Sequence, residues 1–325
     1  MPGGYGRNTF IGWAEESAWG TPVAASKFGE IISSSMEAIR RRVPRESVRG
    51  LDDREANFYD ELFGAAGSFV IGANYIGLLR LLEHAMGDGS DAITQPDVGV
   101  RWVHTFTLKD TLMAGKGLSL HVNDDVDNGG TPQRRYAGFK VNGLKFSYDP
   151  LRNTTIEVSG AAKDFASIAA VSPTLPGLST YVAGHQTVIE IDDVVRKCDM
   201  VEVELDNGMD LEKRILGSKN IDEPIRGDSR RRVFGTIKMD AAAADLAKFD
   251  AGTYFKLEVL ATGATLGTGN YALQLVLAKC RLDGDPYSSI DGPGVRKTEV
   301  PFVADLPTSG ERLQVIVHNN ESAVA

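Results

Sequence analysis

The side chains best suited to chemistry are few and scattered in this sequence. Its five histidines, His84, His104, His121, His185 and His318, share no ligand spacing, and each is expected on the surface of a strand or helix. Metalloprotease, nucleophile-elbow and phosphate-loop patterns (HExxH, GxSxG, GxxxxGK) are absent. The two cysteines, Cys198 and Cys280, form no CxxC pair and are expected as reduced core residues of a cytosolic chain. With no acid, base and nucleophile converging, the sequence predicts a protein that is not an enzyme and that holds no cofactor or metal.

Three local strings invite a sharper chemistry. In "TGATLGTGNYAL", Gly267, Gly269 and Ala272 fit GxGxxA, but a dinucleotide site needs a helix to start there and "NYALQLVLAKCRL" alternates like a strand, so a glycine-rich hairpin is expected. "NDDVDNGG" (123–130) resembles a calcium loop, yet Asn128 stands where the sharp turn wants glycine and no glutamate follows at the right offset; a solvated hairpin tip is expected. Arg226-Gly227-Asp228-Ser229 spells an adhesion tripeptide, and it sits inside a long charged loop of a chain with no sign of extracellular life.

Composition narrows the class further. Among 325 residues, 42% are hydrophobic and 24% charged, enough to bury one large or two ordinary cores. Acids outnumber bases by 44 to 35, a net charge of −9 that works against tight binding of nucleic acid. No run of apolar residues is long enough to span a bilayer, and "MPGGYGRNTF" lacks the charged and apolar regions of a signal peptide, so neither membrane insertion nor export is expected. The terminal strings "MPGGYGR" and "NNESAVA" are expected to be disordered unless a partner pins them.

The elements that would position any site are mostly strands. Period-two alternation marks residues 102–108, 117–123, 139–149, 154–160, 186–192, 199–208, 254–261, 271–282, 298–305 and 312–318, giving about a dozen strands in all. Helical period is convincing twice, in "YIGLLRLLEHAMG", ended by Gly87, and in "DAAAADLAKFDAG", with Asp240 as its N-cap candidate.

Each helix follows a strand, and each strand follows a long charged connection, Arg40 to Gly64 and Leu211 to Arg232. This recurrence predicts a tandem duplication: a first domain over 1–165, an extended linker over 166–184 rich in Pro and Ser, and a second domain over 185–325.

"NTFIGWAEESAWGTPVA", "ISSSMEAIRRRVPRES", "WVHTFTL" with "GLSLHVN", and "LDNGMDLEKRILGSKNIDEPIRGDSRRRVFGTIKMD" together resemble the major tail tube proteins of long-tailed bacteriophages, from about Arg7 to Asn319. The resemblance implies a mainly β fold of two tandem tail-tube-type β-barrel or β-sandwich domains, each with one short flanking α-helix and a long loop. It implies a virion structural protein, assembled in the host cytoplasm, whose rings stack into the hollow tail through which DNA passes transiently and without sequence preference.

Two tube domains per chain favour trimeric, pseudo-hexameric rings over hexameric ones. Tape measure, tail terminator and baseplate proteins are the implied partners, with no membrane. A tube subunit of a secretion system or tail-like particle is the alternative, and a carbohydrate-binding or adhesion β-sandwich a more distant one.

The long charged loops are expected at contacts between subunits or rings, because mixed charge sets register and selectivity. Arg45, Arg49, Asp52 and Arg54 in the first loop, and Asp222, Glu223 and Arg226 in the second, are the residues expected to carry them. A lumen that passes DNA quickly is expected to be net negative.

Overall fold

A computed structural model describes residues 9–44, 58–87, 92–109, 111–123, 133–225, 227, 230–240, 243–284 and 297–322. The first half runs β1 (Phe10–Glu15), β2 (Lys27–Ser34), β3 (Glu37–Pro44), β4 (Phe58–Gly72), α1 (Leu79–Met86), β5 (Ala92–Asp97), β6 (Arg101–Thr107), β7 (Leu118–Asn123), β8 (Gln133–Tyr148), β9 (Thr155–Ala162) and β10 (Asp164–Ile168). The second runs β11 (Thr187–Ile191), β12 (Val194–Arg196), β13 (Cys198–Asp206), β14 (Arg232–Asp240), α2 (Ala243–Ala251), β15 (Phe255–Leu266), β16 (Gly269–Leu282), β17 (Lys297–Ala304) and β18 (Gln314–Asn319). The fold is mainly β, and every ladder between named strands is antiparallel.

Strand pairing in the first half recurs in the second. The pairs β1–β2, β1–β7, β3–β4, β4–β9, β9–β8, β8–β7 and β8–β10 reappear as β11–β12, β11–β15, β13–β14, β14–β17, β17–β16, β16–β15 and β16–β18. Since β2 also pairs with β4, the end of β2 and then β3 flank β4 in succession, as the single strand β13 flanks β14. Among the described residues, β5 and β6 have no counterpart in the second half.

Two ladders join the halves. The later part of β8 pairs with β13 from Val201↔Tyr148 to Asp206↔Gly143, and β6 pairs with β18 from Gln314↔Thr107 to Asn319↔Trp102. Alternation on both sides of the first ladder turns Leu144, Phe146, Tyr148, Val201, Val203 and Leu205 into one hydrophobic core that draws on both halves. Tyr75 of the first half stacks on Tyr271 of the second, ring centroids 5.7 Å apart, and burial pushes its phenol up to about 12.

α1 forms because Leu79, Leu82 and Met86 line one stripe, with Leu81 and Ala85 widening it; all five are buried. Burying each large side chain contributes about 1.5–3 kcal/mol. Gly87, at φ 119°, stops the helix in a region that disfavours side chains, and its N–H donates to the Glu83 carbonyl at 3.0 Å. The Ala85 carbonyl, otherwise an orphan of the last turn, accepts from Nδ2 of Asn207 at 2.9 Å. α2 starts at Ala243, with Asp240 the last residue of β14; the cap interval between them lies outside the described residues.

Several sequence expectations change. The first charged connection is shorter than Arg40 to Gly64, because β3 reaches Pro44 and β4 begins at Phe58. The segment expected as an extended linker opens in β10 and is then bonded into the first half: Tyr75 N–H donates to Thr180 O at 2.9 Å and Val182 N–H to Ala73 O at 2.9 Å. Histidines 84, 104 and 121 are buried, contrary to their expected surface position, because strand and helix alternation turned those positions inward. The C-terminal string is tied down as far as Glu321, whose carboxylate accepts from Lys27 Nζ at 2.7 Å and from Gly77 N–H at 3.0 Å. Cys198 and Cys280 are free, and residues 266–269 form a hairpin turn with Gly267 at φ 64°.

Candidate assembly surface

One face of the strands around β8 belongs to the core; the other is polar. On β9, β8 and β13 it presents Glu157, Ser159, Lys145, Ser147, Glu202, Glu204 and Asp206, all half-buried and alternating with the buried residues of the same strands. Four carboxylates thus face one ammonium, Lys145, which bonds Glu202 at 2.9 Å. The Glu204 carboxyl is pushed above the usual range, first by burial and then by Asp206, Glu157 and Glu202 against the opposing pull of Lys145. Such a face repels phosphate and offers no cluster of bases to hold it.

β3 is an edge strand. It pairs with β4 from Glu37↔Ala66 to Pro44↔Phe58, and the end of β2 pairs with β4 at Ser33↔Val70 and Ser34↔Phe69. Ile32, Ser33, Ser34, Ser35 and Glu37 are exposed along this edge. Among the described residues no strand lies on its outer side.

The second long loop, between β13 and β14, folds back over the first half. Asn207 N–H donates to Asn142 O at 2.8 Å, Phe63 N–H to Lys219 O at 2.8 Å, and Ile221 N–H to Phe63 O at 3.2 Å. Lys219 and Arg40 lie over the Phe63 ring, 4.6 and 5.4 Å from its centroid. The tip carries Ile215 and Leu216 exposed to solvent.

Two of the residues expected to make contacts lie in this loop with partners of their own. Glu223 meets Lys140 Nζ at 2.7 Å and accepts from Gly115 N–H at 2.7 Å. Asp222 pairs with Lys213 at 2.6 Å, and that bond holds its carboxyl below the usual range. Arg45, Arg49, Asp52, Arg54 and Arg226 lie outside the described residues, as do Asp228 and Ser229 of the adhesion string and all of the calcium-like string past Asn123. Gly227 is bonded through its N–H to Gly208 O at 2.9 Å.

Lys140 escaped the sequence reading. It is almost wholly buried, donates to Met113 O at 2.5 Å as well as to Glu223, and its ammonium is pushed below the usual lysine range by that burial. A lysine inside an otherwise apolar strand stretch was the available signal. The exposed edge at Ser33–Glu37 had a fainter one, three successive serines between hydrophobic residues.

A metal-like grouping also exists among the described residues, formed by Glu190, Asp193 and Glu258. Lys256 Nζ lies 2.8 Å from Asp193 and 3.0 Å from Glu258, so the chain supplies its own cation there.

A family model described as phage tail tube protein matches residues 6–304. The chain belongs to the phage tail tube protein family. No curated protein matches the sequence. Membership makes this a phage tail structural protein. No helix among the described residues is long and apolar enough to cross a membrane.

Proposed function

We propose that this chain assembles with copies of itself into rings that stack as the tail tube, with the polar face of the β9–β8–β13 region lining the channel for DNA. One observation carries the reading: two repeats of the same strand pairing are joined edge to edge through β8 and β13, while among the described residues no strand covers the matching edge of the first repeat. An edge-joined repeat with an open end extends by adding further repeats, and closes when the rotation per repeat sums to a full turn.

The two repeats count as two tube domains, with boundaries near residues 165 and 185. Three chains then supply six domains to a ring, the arrangement we favour over six chains. The excess of carboxylates on the open face suits fast passage of DNA, because every ammonium or guanidinium contact with phosphate would slow it. The long loops serve contacts between neighbours, and tape measure, terminator and baseplate proteins bound the tube's length and ends; assembly takes place in the host cytoplasm.

Negative-stain microscopy of the purified chain, concentrated stepwise, tests this. Annuli or stacked tubes with a central hole are expected, with three-fold averages showing six similar lobes. Monomers that stay monodisperse at every concentration, alone and with a tail initiator complex, would overturn it.

A further inference from the structure

We propose that one water molecule, bound by the hydroxyls of Tyr75, Tyr148 and Thr154, is an integral part of the seam where the two halves of the chain meet. The site belongs to the single chain and holds whatever the chain assembles into.

Three buried hydroxyls set the problem. Tyr75 and Thr154 are fully buried and Tyr148 is 3% exposed, and none of their hydroxyl oxygens has a hydrogen-bond partner among the described residues. A buried hydroxyl left unpaired works against folding, and the large majority of such groups are paired with protein or with ordered water. The backbone beside two of them is already bonded. Thr154 N–H donates to Val182 O at 2.9 Å, and its carbonyl accepts from Ala73 N–H at 2.8 Å. Tyr75 N–H donates to Thr180 O at 2.9 Å, and its carbonyl accepts from Asn319 Nδ2 at 3.0 Å.

The fold brings the three together. Ser147 lies opposite Thr155 where β8 pairs with β9, so the next pair along the ladder is Tyr148 with Thr154, both buried. Tyr75 lies within electrostatic reach of Tyr148: burial first, and then Tyr75, push the Tyr148 phenol well above its ordinary value. The Tyr75 ring is held in place, since it stacks on Tyr271 and crosses Gly263, where a Cβ would come within 2.5 Å of it. Tyr148 is opposite Val201 of β13, while Gly263 and Tyr271 belong to β15 and β16, so the hydroxyls sit at the meeting of first half and second.

Water is the ligand that fits this chemistry. Each hydroxyl both donates and accepts, and none carries a charge that would hold an ion. None bonds another directly, so a small bridging group must span them. A buried water makes about three hydrogen bonds, the number offered here. The bridge fastens Thr154, whose backbone holds Val182 of the connecting segment, to β8 and to the Tyr75–Tyr271 stack.

Urea unfolding of Tyr75→Phe, Tyr148→Phe, Thr154→Val and their pairwise combinations tests the site. Each single variant should lower the folding constant by about fivefold, because it strands a bound water. Pairs should depart from additivity by about twofold or more, because all three hydroxyls share that water. Single variants that leave the folding constant unchanged or raise it would overturn the proposal, since removing an orphaned hydroxyl relieves a cost. Strictly additive losses would overturn it as well, by giving each hydroxyl a separate contact. A crystal structure of the parent chain reads the site without any variant: ordered water within hydrogen-bond distance of all three hydroxyls is expected, and a dry gap between them would refute it.

Discussion

Lys140 of β8 and Glu223 of the long second loop meet at 2.7 Å, the lysine buried and the glutamate about a quarter exposed. This ion pair ties the loop of one repeat to a strand of the other. If the repeats stand for neighbouring tube domains, it is an inter-domain contact enclosed in one chain.

Glu223→Ala should therefore weaken the isolated chain before any question of polymerisation arises. Removing one partner leaves a buried ammonium with Met113 O alone, at a cost of about 1–3 kcal/mol after allowing for the exposure of Glu223. Urea unfolding measures it. The double variant Lys140→Met with Glu223→Ala should recover most of the loss, since no buried charge is then stranded; equal losses in single and double variants would show that the pair itself is not the cause.

Acid should destabilise the fold through its histidines. Burial pushes His84 down to about 3, with Lys140, Arg80 and Lys116 adding to the effect, and burial also lowers His104, His121 and His318. Below the ordinary value of 6.5 the unfolded chain takes up protons that the native state refuses, so stability falls as pH drops from there. Each such histidine adds up to about 1.4 kcal/mol per pH unit. Urea midpoints measured between about pH 7 and about pH 5 should fall in the parent chain and fall less steeply in His84→Gln. An unchanged slope in the variant would assign the acid sensitivity to other groups.

On the open face, a carboxylate should cost stability. Because Glu204 is raised in the folded state, its contribution is fully present below the ordinary carboxyl range and is lost as pH rises through the raised value. Glu204→Gln should accordingly stabilise the chain at neutral pH, by no more than about 1 kcal/mol for a solvent-screened group, and the gain should vanish in acid. Thermal unfolding at the two pH values decides. A destabilised variant at neutral pH would mean that Glu204 makes a favourable contact that its crowding by Asp206, Glu157 and Glu202 does not suggest.

Much of the fold was legible because its causes are local. The alternation in "DMVEVELDNG" places Val201, Val203 and Leu205 on one face and Glu202 and Glu204 on the other, as the structure has them. The stripe of Leu79, Leu82 and Met86, followed by Gly87, sets both the existence and the end of α1. The strand edges hidden in "RRRVPRESVRGLDDREANFYDELFG" were not legible, since charged residues on strands look like loop until a neighbouring strand supplies the other half of the ladder.

Sequence alone determined that this chain is a mainly β protein with a repeated strand-helix plan, because side-chain period is a property of neighbouring residues. Only the tertiary structure decided which β face is core and which is open, that Lys140 is buried against Glu223, and that β13 is flanked on both sides while, among the described residues, no strand lies on the outer side of β3. Those relations join residues far apart in the chain, and a backbone edge carries the same hydrogen-bonding groups whatever its sequence, so only the placement of strands reveals which edge is left open.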